Sequence, residues 1–464
     1  MQSKLKLYNT LTREEEVFKP ISSKIVGIYS CGPTVYSFQH IGNLRTYVFS
    51  DILKKTLQYN KFKVKHIINV TDVGHLTSDS DTGEDKIEKA AEKEHKTAKQ
   101  ISEFYFEEFK SDLKKLNIDM PNKFPKASEH IKAQIEIIKK LEKKHLTYKT
   151  SDGIYFNTSK LKDYGKLAKI DFSKIISGKR VSMGEKLNPT DFALWKFSSK
   201  EEERQQLWPS PWGSGFPGWH IECSAMSMKY LGEHFDIHTG GLEHIPVHHT
   251  NEIAQSESAT EKKFVNFWLH AGWLLSQGKK VSKSKGGLYT ISDLQSLGFS
   301  PLAFRYLCLQ THYKKPLNFS LDSLQSAENA YNKLKQSVIE IQEQTHKGND
   351  LTKEYENQFI DAINDDLNMP RALKVLWDTI NDFDFAPKKK LSLIKKFDSV
   401  LSLGISEFKE KKVSIPKEIK ALIKAREEAR TLKQYEKADI LRSRIEEFGF
   451  QIKDTEQGAK VTKN

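Results

Sequence analysis

Two short strings, Gln39-His40-Ile41-Gly42-Asn43 and Lys280-Val281-Ser282-Lys283-Ser284, stand far apart in the chain and have complementary chemistry. The first follows the apolar run Lys24 to Tyr29. The second lies in a Lys/Gly/Ser-rich stretch from Gly278 to Gly287. A histidine and a glycine at a strand-to-helix turn, answered by a loop with two lysines, can grip a triphosphate from both sides. Gly42 lets a nucleotide base approach the backbone. His40 can donate to phosphate oxygens. Lys280 and Lys283 can neutralise the charge that develops as pyrophosphate leaves. Read alone, without His40 and its context, the second string is more readily a solvated basic loop.

A second constellation is soft. Cys31, Cys223, His248 and Glu252 all have metal-ligand chemistry. His248 and Glu252 are four apart on an expected helix and so share a face. Two thiolates, an imidazole and a carboxylate suit Zn²⁺ better than Mg²⁺ or Ca²⁺. There is no CxxC pair, so the spacing is not by itself a zinc signature. A single buried cysteine is usually a small hydrophobe, and a His/Glu pair at this spacing is usually a surface hydrogen bond. Cys308, the third cysteine, reads as core.

The elements needed to hold these groups are legible. Residues 24–70 read as strand, loop, helix and strand, with the helix from Leu44 to Gln58 and the second strand from Val64 to Val70. This is a βαβ unit opening a doubly wound sheet. A polar loop from His75 to Asp85 and amphipathic helices carrying Ile101, Tyr105, Phe109, Leu113 and Leu116 follow. Residues 123–217 read as an insertion. It contains a hairpin at Thr147 to Asn157, turning on Asp152-Gly153. The sheet resumes at Phe235 to His238, with a helix from His248 to Ala259 and a strand from Asn266 to Ala271. From Ser292 to Leu403 the chain reads as helical. Residues 417–447 read as a basic helical hairpin before a short strand-like Phe450-Gln451-Ile452. The expected fold is α/β: a doubly wound parallel, Rossmann-type catalytic sheet with an inserted domain, then an all-helical C-terminal region.

At 464 residues the chain needs several packed units. Its net charge of +13 fits a polyanionic partner or an ordinary lysine-rich surface. Three cysteines do not make a secreted disulfide scaffold. No apolar run approaches the ~20 residues of a membrane span, and no signal peptide is evident. A cytoplasmic location without membrane contact is expected.

The two strings resemble the HIGH and KMSKS motifs of class I aminoacyl-tRNA synthetases. The runs Cys31 to Leu53 (CGPTVYSFQHIGNLRTYVFSDIL), Pro217 to Ser227 (PGWHIECSAMS) and His248 to Ser256 (HHTNEIAQS) narrow the resemblance to cysteinyl-tRNA synthetases. The resemblance covers nearly the whole chain. It implies ATP-dependent ligation of L-cysteine to tRNA(Cys) through a cysteinyl-adenylate, with Mg²⁺ accompanying ATP, by a monomer. It implies one Zn²⁺ per chain, held by Cys31, Cys223, His248 and Glu252, which selects thiolate over hydroxyl. Binding energy alone discriminates such near-isosteres weakly.

Further roles are implied by position. His40, Lys280 and Lys283 are the catalytic group. Gly42, Asn43, Gly240, Gly241, Glu243, Ser282 and Ser284 join them around ATP. Cys31, Thr71, Trp219, Asp236 and His238 line the amino-acid pocket. The implied domains are 1–122 with 218–277 (catalytic), 123–217 (inserted), 278–320 (lysine loop and stem contact), 321–405 (helical bundle) and 413–464 (anticodon binding). The tail offers Arg426, Arg430, Arg442 and Arg444 with Tyr435 and Phe450, but such a run is usually a solvated helix face, so the anticodon role belongs to the segment and not to single residues. The chain departs from the family at Asn43 (for His), Val281 (for Met), Glu243 (for Asp) and Val461 (for Trp). Two rival readings share much of this. One is a ligase passing activated cysteine to a small-molecule amine, which would lack the basic tail. The other is a non-catalytic zinc-stabilised RNA-binding protein, which would leave His40, Lys280 and Lys283 unused.

Overall fold

The computed structural model describes residues 3–74, 85–169, 185–198, 204–276, 279–280, 289–409, 416–455 and 458–463. They form two compact units, Met1–Ser406 and Glu407–Asn464.

The first unit is built on a four-stranded parallel sheet: β1 (Val26–Ser30), β2 (Val64–Ile68), β3 (Phe235–Gly241) and β4 (Val265–Ala271). Its order is β4-β3-β1-β2. Every residue of β1 and β3 is buried, as expected for central parallel strands covered on both faces. Helix α1 (Ile41–Tyr59) joins β1 to β2. Helices α2 (Trp219–Leu231) and α3 (His248–Thr260) flank β3 in sequence. The chain leaves β1 toward β2 on one side and leaves β3 toward β4 on the other. The carboxyl ends of β1 and β3 therefore form the switch point where loops diverge and a ligand cleft opens.

The insertion is an antiparallel four-stranded sheet ordered Thr147–Lys149, Gly153–Phe156, Phe192–Phe197 and Gly215–Pro217. The first two strands make the hairpin expected at Asp152-Gly153. Ile154, Phe156, Phe192, Leu194 and Trp195 pack in one core with Ile138 and Leu141 of the helix Ile131–Lys143 and with Ile221 and Ala225 of α2. The insertion thus sets the position of α2, which carries Cys223.

After the lysine-rich segment the first unit is helical, with helices Pro301–Leu309, Leu321–Glu343, Thr352–Asn364, Met369–Asn381 and Pro387–Leu401. One strand missed from the sequence, Leu317–Phe319, pairs in parallel with Leu274–Ser276. Three residues are too few for a period to show.

A buried charge cluster ties this helical part to α1. Asp51 Oδ2 lies 2.7 Å from Arg305 Nη2 and 2.9 Å from Lys55 Nζ, and Asp51 and Arg305 have fully buried side chains. Burial opposes ionisation of Asp51, but Arg305 and Lys55 hold its carboxyl below the usual range. Removing one partner strands a buried charge, so Asp51→Asn should cost about 3–5 kcal/mol in urea unfolding. A depressed folded pKa stabilises above the unfolded value, about 4, and that contribution fades as acid lowers the pH toward the folded value. Asp51→Asn should remove this part of the acid dependence.

The second unit is a helical hairpin, Lys417–Thr431 and Tyr435–Glu447, followed by the antiparallel strands Phe450–Thr455 and Gly458–Lys463. The strand-like Phe450 to Ile452 is real, and it acquires a partner strand that contains Val461. Ile419, Ile445, Phe450 and Ile452 make its small core. Phe450 and Arg426 are therefore turned inward, at 4% and 2% exposure. Tyr435, by contrast, is 61% exposed.

Candidate metal centre and nucleotide site

Cys31 leaves the carboxyl end of β1, and its backbone N–H donates to Thr239 O of β3 at 3.1 Å. Cys223 lies in the second turn of α2. His248 opens α3, with Glu252 one turn later. These four side chains are buried, and one donor atom from each lies within 4.8 Å of the other three. Tetrahedral zinc needs donor separations of about 3.3–3.8 Å, so the set fits such an ion with small adjustment. The predicted metal-ligand quartet is thus one spatial cluster.

Its electrostatics are those of a thiolate–imidazolium–carboxylate group. Burial works against ionisation of Cys223, but hydrogen bonds from Cys31 and His248 lower its pKa. Burial and the hydrogen bond to Cys223 push Cys31 up. Burial alone would lower His248, yet Cys223 and Glu252 raise it to about 10. Burial alone would raise Glu252, yet His238 and His248 lower it to about 2.

A ring of imidazoles surrounds the quartet. His249 Nε2 is 3.1 Å from Cys31 Sγ. His249 Nδ1 is 2.7 Å from His270 Nε2, whose Nδ1 is 2.8 Å from Thr10 Oγ1. His220 and His248 meet through their Nδ1 atoms at 2.9 Å. These residues were missed from the sequence. The doubled His248-His249 and the His220 beside Trp219 were the available signals.

The pocket residues divide. Trp219, half-buried, has its ring centroid 4.5 Å from that of His248. Thr71 Oγ1 donates to Glu222 Oε2 at 3.1 Å, and burial, then Asp72, raises the Glu222 carboxyl well above its ordinary value. Glu222 is a further buried acid that sequence reading overlooked. Asp236 is a correction. Its Oδ1 accepts from Ile21 N at 2.7 Å and its Oδ2 from Gly27 N at 2.8 Å. It sits at the amino end of β3, away from the cleft, and ties strands together. His238 is fully buried beside the quartet, and its Nε2 donates to Glu252 Oε2 at 3.0 Å.

The nucleotide side starts at α1. His40 is its N-cap, with Nδ1 accepting from Asn43 N at 3.2 Å. That bond puts the ring proton on Nε2, making it a donor. No acidic residue stands in the first turn of α1. The positive dipole end favours an anion, although Ile41 N is already given to Tyr289 O and Asn43 N to His40, so the His40 ring is the main donor left to face one. A Cβ on Gly42 would lie 2.9 Å from the His40 ring, so glycine here clears space for the histidine itself. Gly240 and Gly241 close β3. A Cβ on Gly240 would lie 2.6 Å from His244 and His249, so the imidazole ring needs that glycine too. Glu243 accepts from Trp273 Nε1 at 3.1 Å.

Two ties join this helix to the segments flanking the lysine motif. Ile41 N donates to Tyr289 O at 2.9 Å. Arg45, 3% exposed, donates to the carbonyls of Gly272, Trp273 and Lys315 at 2.6–2.7 Å. Trp273 leads into Leu274–Ser276, whose antiparallel partner is Lys279–Lys280. The backbone of Lys280 therefore belongs to a strand anchored near α1. Ser282, Lys283 and Ser284 lie outside the described residues.

Comparison with known proteins agrees. Residues 17–329 match the model of the class I (C) tRNA synthetase catalytic domain, and residues 413–461 match the cysteinyl-tRNA ligase anticodon binding domain. The chain is 45% identical to cysteine–tRNA ligase 1 of Burkholderia lata, over 98% of this chain and 96% of that protein. It is 43% identical to the cysteine–tRNA ligase of Treponema denticola, over 99% of each. Among solved structures, the Mycobacterium tuberculosis methionyl-tRNA synthetase with methionyl-adenylate superimposes with a TM-score of 0.56 at 12% identity, covering 82% of this chain and 90% of that one. The Agrobacterium radiobacter K84 LeuRS ternary complex gives 0.59 at 12% identity, over 84% and 85%. These two likenesses are of fold. Both catalytic and anticodon-binding segments match one family over nearly the full length, and this chain belongs to the cysteine–tRNA ligases of the class I aminoacyl-tRNA synthetases.

Proposed function

We propose that the chain activates L-cysteine with ATP and transfers it to tRNA(Cys), selecting the amino acid at a zinc centre. In the first step a cysteine carboxylate oxygen attacks the α-phosphorus of ATP. The bond to the β-phosphate oxygen breaks, pyrophosphate leaves, and cysteinyl-adenylate remains. In the second, a terminal ribose hydroxyl of tRNA attacks the adenylate carbonyl and AMP leaves. Such chemistry needs positioning and charge stabilisation more than a protein nucleophile.

The observation that carries the reading is the buried Cys31, Cys223, His248, Glu252 quartet at the switch point of the sheet. It is a soft donor set suited to zinc. When bound, zinc lowers a thiol pKa and binds sulfur directly. The chain's own residues do the rest. Trp219 walls the pocket beside His248. His40 Nε2–H and the first turn of α1 face the phosphates. Lys280 and Lys283 neutralise the departing pyrophosphate, and Ser282 and Ser284 help hold the nucleotide. Arg45 keeps the strand leading to Lys280 against α1. Asn43 gives its backbone N–H to the His40 cap, a role indifferent to its being asparagine. Glu243, in the short turn just past the glycine-ended strand β3, serves the ribose.

The reading includes Mg²⁺ with ATP, a monomer in the cytoplasm, acceptor-stem contact by residues 278–320 and anticodon contact by residues 413–464. No helix among the described residues is long and apolar enough to cross a membrane. The rival that transfers cysteine to a small amine has no use for the C-terminal unit. A chain ending at residue 406 should keep cysteine-dependent pyrophosphate exchange. Its kcat/KM for charging tRNA(Cys) should fall at least about tenfold, or about 1.4 kcal/mol. Undiminished charging would contradict the assignment.

A further inference from the structure

Glu243 stands where the family carries aspartate, and its side chain is one methylene longer. It lies in the short turn Leu242–His244 and is exposed. A free glutamate in such a place samples many rotamers, and ordering it when a ligand arrives costs conformational entropy. Here the side chain is already ordered. Its carboxylate folds back over Gly241: a Cβ on that glycine would lie 2.6–2.7 Å from the carboxylate carbon and both oxygens. A larger residue there would displace it. Its Oε2 accepts from Trp273 Nε1 at 3.1 Å.

The indole is on a fixed mount. The Trp273 carbonyl accepts from Arg45 Nη1 at 2.7 Å and from Leu317 N at 2.9 Å, and Arg45 belongs to α1. The next residues, Leu274–Ser276, pair with Leu317–Phe319 on one side and with Lys279–Lys280 on the other. The main chain at Trp273 is thus pinned while its ring stays 39% exposed and reaches the end of β3. We propose that Trp273 is a positioning residue for the nucleotide: its indole N–H holds the Glu243 carboxylate where the ribose hydroxyls meet it. An ionised carboxylate has about four acceptor sites, so one given to the indole leaves the others for the ribose. The pairing makes the longer acid usable where an aspartate would need no such support. It also mounts the ribose contact on the strand that leads to Lys280, so both ends of the nucleotide are referred to one element. The inference rests on the reading that Glu243 serves the ribose, which one arm of the test checks separately.

The test uses the full, zinc-loaded chain in cysteine-dependent pyrophosphate exchange with ATP, 2′-deoxyATP and 3′-deoxyATP. Glu243→Ala should lower kcat/KM for ATP at least about tenfold and erase most of the advantage of ATP over the deoxy analogues. That arm checks the ribose reading. Trp273→Phe keeps an aromatic ring and removes the N–H. It should raise the KM for ATP about three- to tenfold, with zinc content and the KM for cysteine within about twofold. It should shrink the advantage of ATP over at least one deoxy analogue in the same proportion, whereas a merely structural ring would depress exchange with all three nucleotides alike. In a Glu243→Ala background Trp273→Phe should cost nothing further, because its influence passes through Glu243. An unchanged KM for ATP in Trp273→Phe beside an impaired Glu243→Ala would overturn the positioning role and leave the ribose reading standing. Equal losses with ATP and both analogues, or additive losses in the Glu243→Ala background, would do the same. A Glu243→Ala chain that discriminates the analogues as the unaltered chain does would overturn both.

Discussion

Cys223→Ser yields a folded protein that holds less than about a tenth of the zinc of the unaltered chain and has lost cysteine activation. Cys223 is 1% exposed in the core of the first unit, and serine is slightly smaller, so the fold should survive. Its hydroxyl does not ionise near neutral pH and is a poor ligand for zinc. Weakening a residue behind a ligand typically costs 10–100-fold, and removing a ligand should cost more. We expect kcat/KM in cysteine-dependent pyrophosphate exchange to fall by at least about 10³-fold, about 4 kcal/mol. Cys308→Ser is the control. Its thiol is buried elsewhere, with burial pushing it up to about 12, and it is not in the ligand set. That variant should keep metal and activity. Full zinc and normal exchange in Cys223→Ser would remove it from the centre.

His40→Asn should separate the two jobs of this histidine. Asparagine is a good N-cap, so α1 should keep its first turn and stability should change by less than about 1 kcal/mol. The Nε2–H donor is lost. Removing one pre-set donor to a developing charge typically costs about 10²–10³-fold in kcat. We expect that loss in pyrophosphate exchange, with zinc content and KM for cysteine unchanged. A comparable loss of thermal stability would mean that capping, not phosphate contact, is the main role.

Much of this architecture was readable because it rests on local pattern. The buried strands β1 and β2 read as apolar runs, and the hairpin turning at Asp152-Gly153 announced itself by its turn residues. The ligands were readable as residue types, but their convergence depends on strand order, which no local pattern contains. Asp236 and His238 show the limit. Both lie on β3 two residues apart, and the same alternation turns both to one side of the strand. Position along the strand decides their fates: Asp236 sits at the amino end among backbone N–H groups, and His238 lies farther along beneath Glu252. His249 and His270 were hidden for a different reason. His249 stands beside the ligand His248 and His270 is one histidine on a strand, and only packing reveals the line Thr10, His270, His249, Cys31. In the tail, Phe448 and Phe450 differ by two positions, yet one is 59% exposed and the other core. The turn between helix and hairpin makes that choice.

The most direct measurement compares cysteine with serine in pyrophosphate exchange, using zinc-loaded protein and protein stripped by a strong chelator and verified as folded by circular dichroism. The account predicts strong preference for cysteine in the loaded protein and none in the stripped one, with restoration on adding back zinc. A folded, metal-free protein that still prefers cysteine over serine would contradict selection by sulfur–metal contact.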